Sequence, residues 1–152
     1  MIFSGVDSQT VELFVTNYQF PGNIEGDWDS NWLNIYLKVD SKVGKWETID
    51  SSLTTWEVQE IIDWFDQLSA DKEPECRLMT FTEPNLSFEL LNEPTDNNKL
   101  IRMNFDLECR PNSAIDDKEY FVDISADREE LITIKKGLKD ELNKYPERNP
   151  TP

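Results

Sequence analysis

Asp27-Trp28-Asp29-Ser30-Asn31 sets three oxygen-bearing side chains at alternate positions, the spacing that opens a calcium-binding loop. The match goes no further. Such a loop needs glycine at its sixth position for a sharp turn and glutamate at its twelfth as a bidentate ligand, and this chain has Trp32 and Lys38 there. No histidine occurs anywhere, which removes the usual general base and the commonest metal ligand together. Cys76 and Cys109 therefore have no imidazole to activate them as nucleophiles. Phosphate-cradling glycine loops, the dinucleotide fingerprint and the nucleophile elbow are all missing, and five glycines leave little to build one from. Paired carboxylates could act as the acid and base of a glycosidase while tryptophans stack a sugar. Among thirty-one acids, however, such pairs arise from number alone. The expectation is no catalytic residue, no metal and no cofactor.

What remains is a repeated mixture of rings and acids. Asp27, Trp28 and Asp29 form one group. Trp56, Glu60 and Asp63 form a second if residues 54–68 are helical, because a step of about 100° per residue turns them away from the apolar stripe, with Trp64 on the border. Rings of this kind anchor a partner where water is expelled, and acids beside them pair with lysine and arginine. Asp27, Trp28, Asp29, Trp56, Glu60, Asp63 and Trp64 are accordingly the candidate binding residues. Two other readings fit the same residues. The tryptophans could pack under a loop above a solvated acidic face, or they could line an acidic pocket for a ligand such as a carbohydrate.

Charge narrows the partner. Thirty-one Asp and Glu against fifteen Lys and Arg give a net −16 over 152 residues. That field repels phosphate backbones and anionic membranes, so direct binding to either is not expected. It attracts a basic protein, although acidity can also serve solubility alone. The acids are spread along the chain, with no run of five or more. Neither a leader-like apolar segment after a charged start nor a run of transmembrane length is present, which suggests a cytoplasmic protein with reduced thiols.

These residues need a scaffold, and the patterning supplies one. Period-two alternation marks strands at Val11–Val15, Trp32–Asp40, Leu86–Leu90, Leu100–Cys109 and Tyr120–Ile124. In Trp32–Asp40, Leu33, Ile35, Leu37 and Val39 share one face, and Trp32, Asn34, Tyr36 and Lys38 the other. Turn residues at Asp40–Gly44, Glu83–Asn85 and Glu93–Asn98 connect them. Thr54 with Glu57 reads as a capping box, with Leu53 and Val58 as its hydrophobic staple. Val58, Ile61, Ile62, Phe65 and Leu68 continue a helical stripe. Asp127 with Glu130 starts a second helix, with stripe Leu131, Ile134, Leu138, Leu142 and Tyr145. The expected fold is α+β, a mostly antiparallel sheet with two helices packed on one face. Residues 1–145 are expected to form a single domain, followed by a flexible C-terminal tail at 146–152.

Three stretches taken in order resemble one known family: GDWDSNWLNIYLKV (Gly26–Val39), LTTWEVQEIIDWFDQL (Leu53–Leu68) and FTEPNLSFEL (Phe81–Leu90). They look like the WapI-type immunity proteins of bacteria, over roughly the first two thirds of the chain. The resemblance implies a small cytoplasmic, non-enzymatic protein that binds and neutralises the C-terminal domain of a polymorphic toxin. For some members that domain is a tRNA-cleaving enzyme. A nuclease surface built for phosphates is basic, and an acidic inhibitor suits it.

Overall fold

The computed structural model describes residues 1–148. Strands β1 (Ile2–Ser4), β2 (Thr10–Tyr18), β3 (Trp32–Ser41) and β4 (Gly44–Thr54) form one antiparallel sheet in chain order. Helix α1 (Thr55–Ser69) follows β4 without a linker. Strands β5 (Leu78–Thr80), β6 (Leu86–Leu90), β7 (Lys99–Phe105) and β8 (Tyr120–Ala126) form a second antiparallel sheet, also in chain order, and α2 (Arg128–Lys144) ends the fold. The class is α+β, but the strands divide between two four-stranded sheets rather than joining in one.

Both helices start where local chemistry dictates. Thr54 is extended and accepts the Glu57 N–H through its side chain, while the Glu57 carboxylate accepts the Thr54 N–H at 2.8 Å. Asp127 and Glu130 repeat the arrangement at α2. Every member of the α1 stripe is buried, as are Leu131, Ile134 and Leu138 of α2. In the strands, Leu33, Ile35, Ile101, Met103 and Phe105 are all buried, while Arg102 and Asn104 face out.

The core joins the layers through rings. Phe3 of β1, Phe65 of α1 and Phe88 of β6 form a triangle with centroid separations of 6.2, 6.2 and 5.9 Å. Each is buried, and full burial of one such side chain stabilises by about 1.5–3 kcal/mol. The sheets touch where Gly5 bridges Ile124, and a Cβ at Gly5 would lie 2.7 Å from a Val122 methyl, so a glycine is required there.

Two local readings change, and β4 adds a feature that the patterning did not report. Trp32 is 9% exposed rather than lying on an open polar face. Strand β7 stops at Phe105, because Leu107 turns to φ +46° and a short 3-10 turn carries Cys109 inward. Strand β4 turns polar residues toward the core side and an apolar one outward. Its pairings put Trp46, Thr48 and Asp50 opposite the buried Val39, Leu37 and Ile35, whereas Ile49 opposite Tyr36 is 63% exposed.

Pro146 and Arg148 do not stand free of the fold. Tyr18 Oη donates to the Pro146 carbonyl at 2.6 Å, and the Arg148 guanidinium lies 3.4 Å above the Tyr18 ring. Residues 149–152 of the expected tail lie outside the described residues.

Candidate functional site

The Asp27 segment folds as a turn whose polar groups are largely turned on itself. Gly26 takes φ +76°, which admits the chain to the turn. Asp27 Oδ1 then accepts the Ser30 N–H at 2.9 Å and the Asn23 amide at 3.0 Å, which fastens the loop to the 3-10 turn Asp29–Asn31. The Asp27 carbonyl accepts from Ser30 Oγ at 2.7 Å and Asn31 Nδ2 at 3.0 Å. Asp27 and Asp29 are both exposed, but Asp27 holds the turn through its side chain, whereas the Asp29 carboxylate accepts no hydrogen bond among the described residues.

Asn31 is the hub that the sequence pattern did not single out. It is 2% exposed and uses both ends of its amide. Its Oδ1 accepts Thr55 Oγ1 at the start of α1 at 2.9 Å and the Arg148 N–H at 2.7 Å. Its Nδ2 also donates to the Arg148 carbonyl at 2.8 Å. Arg148 in turn donates to the carbonyls of Phe20, Pro21 and Asn23. Loop, helix start and the segment after α2 are thereby tied at one amide.

This tie brings Trp28 onto Trp56. The ring centroids are 4.5 Å apart at an interplanar angle of 57°, with Trp56 half-buried and Trp28 56% exposed. Gly26, Asp27, Trp28, Trp56, Glu147 and Arg148 border a shallow open hollow of about 390 Å³. Two residue groups well separated in sequence therefore make one surface.

Glu60 and Asp63 continue along α1, with Asp63 about 10 Å from Trp56 at the helical rise of about 1.5 Å per residue. Both are exposed. Glu60 is pushed above the usual carboxylate range, first by partial burial and then by the charges of Glu57, Asp63 and Glu75. An acidic hollow of about 410 Å³ lies here between α1 and the β5 edge. Trp64 is set apart from the group: it is 2% exposed, edge-on to Phe65 at 5.3 Å, and donates its indole N–H to the Cys76 carbonyl at 2.8 Å.

A family model described as the immunity protein WapI-like family matches residues 1–146. The chain belongs to that family. The match extends well past the first two thirds, through α2, and stops short of Arg148. Neither the curated proteins nor the solved structures contain a match to the chain. Membership in the WapI-like family supports an immunity role. No helix among the described residues is long and apolar enough to cross a membrane.

Seen in this WapI-like chain, the other family-like stretch is structural in part. Glu57 is buried, and its second oxygen accepts the Thr82 N–H of the FTEPN turn at 2.7 Å, joining α1 to the second sheet. Another hollow, about 490 Å³, lies by the second sheet between Arg110, Lys118, Asp116 and Glu119, and no tryptophan borders it.

Proposed function

We propose that this WapI-like protein is an immunity protein that neutralises a cognate toxin domain by binding it directly, without catalysis. The observation that supports this reading, beyond family membership, is the exposed Trp28 ring braced on Trp56, with Asp29 beside it and Glu60 and Asp63 further along the same helix. A partly desolvated ring pair is suited to anchor a partner, and unpaired acids around it suit a basic one. A basic ribonuclease domain matches that chemistry, and the net −16 would speed its approach. Nucleic acid and membrane are not the partners in this reading, and the site of action is the cytoplasm.

The test is a search of the neighbouring reading frames for a toxin domain and co-expression with it, followed by affinity purification and a growth assay. A stoichiometric complex and restored growth are expected. Restored growth with no complex, or hydrolysis of an added glycan by the purified chain, would overturn the reading in favour of a catalytic or carbohydrate-binding role.

A further inference from the structure

The β5 edge of the second sheet is closed at both ends and open in the middle. Leu90 donates its N–H to the Arg77 carbonyl at 2.8 Å, so the pairs Arg77–Leu90 and Met79–Phe88 carry the ladder bonds between β5 and β6. Leu78 and Thr80, the alternate residues, then turn their N–H and C=O groups away from β6. Helix α1 closes this edge on either side of them. Trp64 donates its indole N–H to the Cys76 carbonyl at 2.8 Å, and the Glu57 carboxylate accepts the Thr82 N–H at 2.7 Å. Between these two ties, the outward N–H and C=O groups of Leu78 and Thr80 have no hydrogen-bond partner among the described residues.

The side chains around this open stretch are of two kinds. Met79 is buried in the core, while Leu78, an apolar residue, is exposed on the other face of the strand. On α1, Glu57, Glu60 and Trp64 follow at helical spacings of three and four, so Glu60 stands opposite the open pair. Together with Asp63 and Glu75 it lines the hollow of about 410 Å³ that runs along β5. Among the described residues, none of these three acids has a lysine or arginine within ion-pair range.

We infer that β5 accepts an extended segment of the protein partner as an added strand, with a lysine or arginine opposite Met79. An unpaired sheet edge binds an extended chain through its backbone, and alternate side chains choose which chain. Two open residues offer at most four backbone bonds, so here the side chains decide. The partner residue opposite Met79 shares its face and points toward α1, where Glu60 and Asp63 lack a counter-charge. The residues on either side of it lie on the outer face, where an apolar one covers Leu78. A second copy of this chain fits poorly, because pairing β5 with β5 would bring two sets of the same acids together. The inference rests on the immunity reading for the partner's identity, but the open edge is testable without it.

The full chain, labelled with ¹⁵N, is titrated with acetyl-Thr-Val-Arg-Val-Thr-amide and, separately, with its Gln counterpart, and hydrogen exchange is followed at each amide. In the free chain Leu78 and Thr80 should exchange faster than Met79, whose N–H serves the β6 ladder. The Arg peptide should slow both amides saturably, and the Gln peptide should bind about tenfold or more weakly. Thr80→Pro removes an outward N–H that the fold does not use, and should weaken the Arg peptide about tenfold or more with an unchanged spectrum elsewhere. Should that variant unfold, Glu60→Gln, at an exposed position, makes the same comparison through charge. No slowing by the Arg peptide, equal affinity for the Gln peptide, or undiminished affinity in the folded variant overturns the inference. Slowing that rises with the concentration of the free chain alone gives the edge to a second copy and overturns it too. The toxin domain separates the two ideas. A toxin complex that leaves the Leu78 and Thr80 amides unprotected discards the strand site and keeps the immunity reading. Protection by the Arg peptide without any toxin complex keeps the strand site and discards that reading.

Discussion

Trp56 and Trp64 lie two turns apart on α1, yet one ends at the surface and the other in the core. Trp64 is covered by the return from α1 to β5, which offers the Cys76 carbonyl to its indole N–H. Trp56 is covered by Trp28, a ring that is itself 56% exposed. Helix period sets Trp64 at the edge of the apolar stripe and Trp56 on the opposite side, and what the rest of the chain brings over each ring completes its role. A ring that finds both packing and a hydrogen-bond acceptor is fixed in the fold. A ring braced only by another ring retains surface to offer a partner.

Deleting each side chain in turn tests this contrast. Trp64→Ala should lose about 3–5 kcal/mol of stability in urea denaturation, because the cavity opens beside Phe65 and Phe88. Next comes Asn31→Ala. It strands the Arg148 N–H and the Thr55 hydroxyl, and should cost about 2–3 kcal/mol by the same assay. A loss under about 0.5 kcal/mol would show that the tie at Asn31 does not hold the loop.

Trp28→Ala should cost no more than about 1.5 kcal/mol of stability, since a half-exposed ring pair contributes little beyond its buried area. Its effect should appear instead as at least about tenfold faster release of the toxin domain in surface plasmon resonance. Equal stability losses for Trp28→Ala and Trp64→Ala would erase the distinction between the two rings.

The acids split in the same way. Asp27→Lys removes the acceptor for the Ser30 N–H and the Asn23 amide and should cost about 1 kcal/mol, whereas Asp29→Lys and Asp63→Lys should stay within about 0.5 kcal/mol. All three should slow association with a basic domain, most clearly at low salt, because the Debye length is about 8 Å at physiological ionic strength. Stopped-flow rates at two salt concentrations measure this, and rates indifferent to both salt and reversal would assign the acidity to solubility.

The smallest expected effect concerns the helix pair. The hydrogen bond and charge of Lys135, 2.6 Å from Asp66, hold that carboxyl below its usual range. A depressed folded value means the contribution is present at neutral pH and is lost as pH falls through that depressed value. Because Asp66 is exposed, Lys135→Met should lower neutral-pH stability by about 0.5 kcal/mol or less and flatten the acid limb of the stability curve. An unchanged acid limb would mean the pair contributes nothing.

Much of the scaffold was legible from local chemistry. Capping boxes act over three residues and stripes over four, so Thr54 with Glu57 and the Val58–Leu68 stripe could be read without knowing the fold. Alternation likewise placed Leu33 and Ile101 inside. Strand β1 escaped notice because three residues are too few to show a period, although its Phe3 stands at the centre of the core. Leu107 and Cys109 continue the β7 alternation on paper, but the backbone turns at Leu107, and no periodicity reports a positive φ. Glu57 was recognised as a cap, yet its bond to Thr82 depends on a turn twenty-five residues away.

The sequence by itself determined the element types, the facing of most strands, both helix starts and a strongly acidic surface, because propensity, capping and charge act between near neighbours. Tertiary structure decided the rest. It split the strands into two sheets, turned the polar face of β4 inward, laid Trp28 on Trp56 and joined Asn31 to Arg148 across 117 residues. Those outcomes depend on which distant segments close against each other, and closure is settled by the packing of the whole core around Phe3, Phe65 and Phe88.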